Sequence, residues 1–269
     1  MEITALEFQR FQTFLKVASG ISLADNKQYL VNNRLRPLLN EIGVDELDDL
    51  LSLIEAMPDD NLTMKVVEAM TTNETFWFRD SLHFHALEQK VVTELGEKGR
   101  ISLWSAACST GQEAFSLSLS IDKALRLINK RPTVQIVATD ISEKNIDQAK
   151  QGVYTDIQLS RGLPNETKID HFKGVRGGWQ IADKHRSRVS FKSLNLINDF
   201  SDVGEFDVVF CRNVLIYFSM STKIDILNRI AQRMKQGAYL FLSSSEQVPA
   251  EVKGLQIVRD SGCKYYRKR

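Results

Sequence analysis

Four polar groups stand directly after apolar runs in the second part of the chain. They are SAACSTGQE at 105–113, Asp140 after VQIVAT, Asn195 and Leu196 after VSFKSL, and Cys211, Arg212 and Asn213 after FDVVF, with Tyr217 shortly beyond. An open α/β sheet binds its ligand there, beyond the carboxyl ends of its strands. Small side chains at 105–111 let a ligand approach the backbone, and the helix that follows favours a negative group at its N-terminus. An acid placed like Asp140 accepts hydrogen bonds from ribose hydroxyls. The 105–113 loop contains neither GxGxxG nor GxxxxGK[ST], which argues against a hydride-transfer enzyme and against an NTPase. A ligand with ribose and adenine but no phosphates fits better, and S-adenosylmethionine is such a ligand. Glu113 is then a counter-charge for its ammonium or sulfonium. The plainer alternative is a solvated acid in the first turn of a helix.

The elements that must carry these groups are of two kinds. Residues 1–90 read as helices, with Leu6, Phe8, Phe11, Phe14 and Leu15 at helical spacing and Leu47, Leu50, Leu51 and Ile54 on one face of a second helix. Asp45 suits an N-cap there and Pro58 a stop. A third pattern covers 61–72, and 26–40 is helical up to Pro37. From Arg100 onward short β-rich runs alternate with helices, which predicts a parallel α/β sheet with helices on both faces over 91–269. The helix STKIDILNRIAQRMKQG is expected to run to Gly237, and the tail to form two antiparallel edge strands around Ser261-Gly262. Residues 151–188, rich in glycine, read as an insertion of loops and short strands. Before the sheet lies NETFWFRD, residues 73–80, whose period-two spacing at 73, 75, 77 and 79 suits an extended stretch.

Bulk composition narrows the classes. Of 269 residues 43% are hydrophobic, enough for one or two cored domains. Lys and Arg total 35 against 34 Asp and Glu, and a net charge of +1 gives no global reason to expect nucleic acid. No long apolar run predicts a membrane span, and MEITALEFQRF is no signal peptide. Cys108, Cys211 and Cys263 form no CxxC pair, so neither a disulfide framework nor zinc is expected, and a reducing cytoplasm fits. His83 and His85 lack further metal ligands nearby, so no metal is expected.

NETFWFRD, WSAACSTGQEAFSLS, ATDIS and FCRNVLIYF together resemble the motifs of the bacterial chemotaxis receptor methyltransferases, the CheR family. The likeness runs in order from about residue 10 to the C-terminus. It implies a Rossmann-like S-adenosylmethionine methyltransferase sheet, an N-terminal all-helical domain and a small β-subdomain at 151–188. It implies methyl transfer to glutamate side chains of chemoreceptors, with S-adenosylhomocysteine as product. By resemblance Asn73, Thr75, Arg79, Glu113, Asp140, Asn195, Leu196, Arg212 and Asn213 line the cofactor site, and Arg79 and Tyr217 stand beside the transferred methyl. Phe76 and Phe78 then seat the segment; Trp77 replaces the family's usual Phe. A basic helix in the family's N-terminal domain faces the acidic helical bundle of the receptor, which assigns Lys27, Arg34 and Arg36 to receptor binding. Some members grip a receptor-tail pentapeptide with the β-subdomain; the hairpin around VRGGWQ looks a few residues short, which favours independence of that peptide. A cytoplasmic monomer is expected. Two alternatives remain open: a methyltransferase for a small molecule or nucleic acid, and a non-catalytic S-adenosylmethionine or receptor-binding module.

Overall fold

The computed structural model describes residues 3–56, 60–128, 131–260 and 262–269. The chain divides into two compact units, one of Met1–Thr72 with Tyr217–Lys223, the other of Asn73–Ile216 with Ile224–Arg269.

The first unit is built from helices α1 (Ala5–Ser19), α2 (Gln28–Ile42), α3 (Leu47–Ala56) and α4 (Asp60–Met70). Thr4 and Glu7 close a capping box at the start of α1, and Gly20 ends it at φ 77. Of the predicted apolar positions Phe8, Phe11, Leu15, Leu47, Leu50, Leu51 and Ile54 are buried, together with Val31, Leu35, Leu38, Leu39, Val66 and Val67, whereas Leu6 is exposed and Phe14 half-buried. Helix α2 does not stop at Pro37 but runs through it to Ile42. An interior proline removes one backbone hydrogen bond; here Leu35, Leu38 and Leu39 around it are buried, and that burial outweighs the loss. The expected stop at Pro58 lies outside the described residues, and α3 opens at Leu47, two residues past Asp45. Tyr217 and Phe218 are clasped to the chain after α1: Ser22 N–H donates to the Tyr217 carbonyl at 2.8 Å, and Phe218 bridges Ile21.

The second unit begins with α5 (Ser81–Thr93) and continues through β1 (Arg100–Ala106), α6 (Gln112–Arg126), β2 (Thr133–Asp140) and α7 (Glu143–Gln151). Then come β3 (Val153–Tyr154), α8 (Asp156–Ser160), α9 (Asn165–His171), β4 (Phe172–Val175), β5 (Gly178–Ile181) and α10 (Asp183–Arg186). The chain ends with β6 (Val189–Ser193), β7 (Phe206–Cys211), α11 (Met220–Arg233), β8 (Met234–Phe241), β9 (Leu255–Asp260) and β10 (Cys263–Lys268). The units part at Thr72/Asn73, and α5 belongs with the sheet unit, where it packs on α6. The main sheet has order β6-β2-β1-β7-β8-β10-β9. The first five of these pair in parallel, and β10 runs antiparallel between β8 and β9. Strand order reverses beside β1. Strand β7 is buried along its whole length and β1 beyond Arg100, as central parallel strands covered on both faces must be.

Two boundaries differ from expectation. Helix α11 ends at Arg233, and 234–237 open β8 instead, where Met234 pairs with Phe206 across a bulge. Of the two tail strands β9 is an edge strand whereas β10 lies inside the sheet, and Ser261 of the expected turn lies outside the described residues. The 151–188 insertion is the separate three-stranded sheet β3-β5-β4 with α8, α9 and α10 around it.

Candidate active site

NETFWFRD is not a strand. Its anchor is Trp77, fully buried, with Tyr154 and Phe172 edge-on at 5.0 and 5.4 Å. Phe76 and Phe78, expected to seat the segment, are only half-buried. The reason is the insertion. Trp77 N–H donates to the Arg161 carbonyl at 3.1 Å, Arg161 pairs with Glu74 at 2.7 Å, and Gly162 lies so close that a Cβ there would sit 2.1 Å from the Trp77 carbonyl oxygen. Beyond Trp77 the backbone turns sharply, with φ 52 at Phe78 and φ 55 at Asp80.

Positive φ values mark the site. Among the described residues, the non-glycine positions in that region are Phe78, Asp80, Ala107, Ser109 and Asn213. Two belong to this segment, two to the β1–α6 loop and one to the turn after β7. Each costs about 1–3 kcal/mol, and such strain collects where a binding surface is preformed.

Hydrogen bonds join the predicted residues into two networks. In the first, Asp140 at the end of β2 accepts from Ser109 N–H at 2.7 Å and Ser142 N–H at 3.0 Å, and Leu194 N–H donates to the Asp140 carbonyl at 2.9 Å. Ser109 Oγ donates to the Asn73 carbonyl at 3.0 Å. Asn73, Asp140 and the approach to Asn195 and Leu196 are thereby tied to one loop. Asn195 closes a turn by accepting from Ile197 N–H at 3.3 Å, and Leu196 is buried.

The second network is ionic. The Arg212 guanidinium, 1% exposed, pairs with Asp80 at 2.7 Å and Glu113 at 2.9 Å, and also donates to the Arg79 carbonyl. Glu113 further accepts from Ser105 Oγ at 2.7 Å. Burial raises the Glu113 carboxyl above its ordinary value, with Arg212, Ser105 and the charge of Arg79 pulling the other way. Glu113 is therefore not the solvated acid of a plain helix start, and the Arg212 guanidinium is committed within the protein. Arg79 differs. Its guanidinium donates to the Glu74 carbonyl at 3.0 Å and lies over the Phe76 ring at 5.5 Å, and no carboxylate pairs with it among the described residues.

Asp80, Ser105 and Glu246 were not singled out from sequence. Glu246 is buried and accepts from Asn213 N–H at 2.8 Å, Ile216 N–H at 3.3 Å and Ser243 Oγ at 2.6 Å, fixing the turn after β7. Its signal was legible, an acid just after the apolar run AYLFL. Thr75 is half-buried at the segment's bend. Tyr217 lies in the helical unit, half-buried, and its hydroxyl has no partner among the described residues. The basic residues diverge. Arg34 donates to the carbonyls of Met70 and Thr71 and to Thr72 Oγ1, capping the end of α4. Lys27 lies over the Tyr29 ring at 5.7 Å, and Arg36 is exposed.

A sheet of this order, with an acid ending its second strand and a small-residue loop after its first, defines a Rossmann-like S-adenosylmethionine-dependent methyltransferase. The all-alpha domain of CheR methyltransferases matches residues 6–71, their SAM binding domain matches 73–262, and the chain belongs to the CheR methyltransferase family. It is 46% identical over 248 residues to chemotaxis protein methyltransferase Cher2 of Pseudomonas putida, covering 90% of each chain. It is 45% identical over 253 residues to chemotaxis protein methyltransferase 1 of Pseudomonas aeruginosa, covering 91% of this chain and 92% of that one. Chemotaxis protein methyltransferase 1 of Vibrio cholerae is 40% identical over 263 residues, 96% of this chain and 94% of its own. No helix among the described residues is long and apolar enough to cross a membrane.

Proposed function

We propose that the chain methylates glutamate side chains on the cytoplasmic helical region of chemoreceptors, forming γ-methyl esters. One observation carries the reading: the charges at the site are sorted. Asp80 and Glu113 are both taken by Arg212, while Arg79 keeps a cation without an acidic partner among the described residues. A planar guanidinium in that state suits an incoming carboxylate.

When bound, S-adenosylmethionine supplies an electrophilic methyl group and leaves as S-adenosylhomocysteine. The residues fit that cofactor: Asp140 offers a carboxylate at the end of β2 for ribose hydroxyls, Glu113 negative charge for the ammonium, and Asn73, Thr75, Asn195, Leu196 and Asn213 further lining. Arg212 serves through its backbone and by holding Glu113. A glutamate acceptor is already ionised at neutral pH, with an ordinary pKa of about 4.3, so the site needs no strong base. That agrees with its carboxylates, since Asp80, Glu113, Asp140 and Glu246 all hold donors already. Arg79 orients one acceptor oxygen while the other attacks, and the Tyr217 hydroxyl orients the nucleophile. The test is transfer of labelled methyl to a soluble chemoreceptor fragment, with base-labile label as the signature of an ester. Arg79→Ala should lower kcat by about 10²-fold, as loss of the group that orients a reactant does. Tyr217→Phe should lower it by roughly tenfold, the worth of one hydrogen bond. Product affinity measured by calorimetry should change far less in both. Equal losses of turnover and affinity would reject the assignment.

Lys27 and Arg36 remain the receptor-facing cations of the proposal, whereas Arg34 primarily serves α4. Arg36→Glu should slow receptor methylation several-fold at low salt, with recovery in high salt and unchanged stability. Arg34→Glu should reduce stability as well, by about 1–3 kcal/mol, because it uncaps α4. Equal stability of the two variants in urea would contradict this division. The β4–β5 hairpin turns on Arg176 and Gly177 alone, which supports independence of a receptor-tail pentapeptide. Micromolar binding of such a peptide in calorimetry would overturn that reading.

A further inference from the structure

Asp80 does not do what its position suggests. It occupies the N-cap of α5, where an aspartate ordinarily accepts from the first free amides of the helix. Its side chain makes no such bond and turns to Arg212 instead. Its φ of 55 and that of Phe78, 52, place Arg79 between two left-handed residues. The Arg212 nitrogen that binds the Asp80 carboxylate also binds the Arg79 carbonyl. The backbone that directs the Arg79 side chain is therefore held from a buried cation, and that cation is held by Asp80 and Glu113. The formal charges of Arg79, Arg212, Asp80 and Glu113 sum to zero, so removing the Asp80 carboxylate leaves excess positive charge beside Glu113.

We propose that Asp80 is a positioning residue for methyl transfer: paired with Arg212, it fixes the backbone at Arg79 and aims that guanidinium at the acceptor carboxylate. This rests on the role proposed for Arg79 above. Asp80 acts on turnover through Arg79: the Arg79 carbonyl and the Asp80 carboxylate share one Arg212 nitrogen. The carboxylate is what matters, because an amide of the same shape keeps the turn but holds Arg212 more weakly.

The decisive experiment is a double-mutant cycle on the full chain with Asp80→Asn, Arg79→Ala and both together. Initial rates on a soluble chemoreceptor fragment are read at saturating S-adenosylmethionine, with S-adenosylhomocysteine affinity and thermal midpoint measured alongside. Asp80→Asn should lower kcat by about 10–50-fold, within the range of a misplaced catalytic group. Its product affinity should stay within about threefold of wild type, and in the Arg79→Ala background it should add less than about twofold, the signature of residues acting as a unit. Wild-type turnover in Asp80→Asn, the same fold-loss in both backgrounds, or a loss matched by product affinity or by failure to fold would each overturn the inference. A wild-type chain that forms no base-labile ester would instead overturn the proposed function, and this inference with it.

Discussion

Replacing Arg212 with methionine should cost the sheet unit about 3–5 kcal/mol, the usual penalty for breaking a buried ion pair from one side. The guanidinium is buried and serves three acceptors: Asp80, Glu113 and the Arg79 carbonyl. Methionine fills the volume but leaves Glu113 buried with Ser105 as its remaining hydrogen-bond donor. Arg212→Lys should fall between, since one ammonium cannot reproduce a fork shared by two carboxylates. Urea unfolding of the three proteins measures the order directly. Adding Glu113→Gln to the methionine variant should restore part of the loss, because the uncompensated charge is gone. No recovery would mean that the penalty lies in packing.

Mild acid should weaken the same unit well before its carboxylates protonate. His185 is wholly buried between Ser118 Oγ at 2.8 Å and His171 Nδ1 at 3.0 Å. Arg188 donates to Ser118 Oγ, so the serine hydroxyl donates to His185 Nδ1, and His185 Nε2–H donates to His171. That chain requires a neutral His185, and burial, with Lys184, His171 and Arg188 adding to it against Asp122, lowers its pKa to about 3. His83 packs edge-on against Phe241, with Nδ1 unpartnered, and burial followed by the Arg212 charge lowers it to about 4. Both pKa values lie below the unfolded value, so the unfolded chain binds more protons in this range. Stability is full above pH 6.5 and falls as pH drops towards 4, by up to about 1.4 kcal/mol per pH unit for each histidine. Asp122 and Asp207, held at about 2, act in the same direction only below about pH 4. Urea titrations at pH 7, 6 and 5 should show the decline, and His83→Gln should make it about half as steep, the His185 share remaining. A constant unfolding free energy over that range would refute the neutral assignment.

What sequence could and could not reveal follows from the range of the interactions. The outputs at 105–113, 140, 195–196 and 212–213 were legible because strand ends are marked locally, by an apolar run meeting a polar residue. Asp140 lies at such an end, and its partners Ser142 and Asn145 are close in sequence. Arg212 was seen as a ligand residue but not as the centre of an ion network, because Asp80 and Glu113 lie 132 and 99 positions away. The anchoring of the segment by Trp77, rather than by Phe76 and Phe78, is hidden for the same reason, since Tyr154 and Phe172 come from the insertion. Periodicity alone suits an extended stretch at 73–79, whereas the positive φ at Phe78 and Asp80 depends on tertiary contacts that override local preference. The end of α11 was overrun because Lys235 and Gln236 suit a helix, and only pairing with β7 makes them strand.

The contact between Glu74 and Arg161 spans 87 positions, and it carries a consequence in time. A ribosome adding about 5–20 residues per second needs roughly 4–17 s to make that stretch. Until then the nascent chain bears an indole with no pocket to enter and a turn with nothing to impose it. The segment that carries Arg79 thus settles late, after α6 and β2 have emerged and only once the insertion, and then Arg212, has arrived.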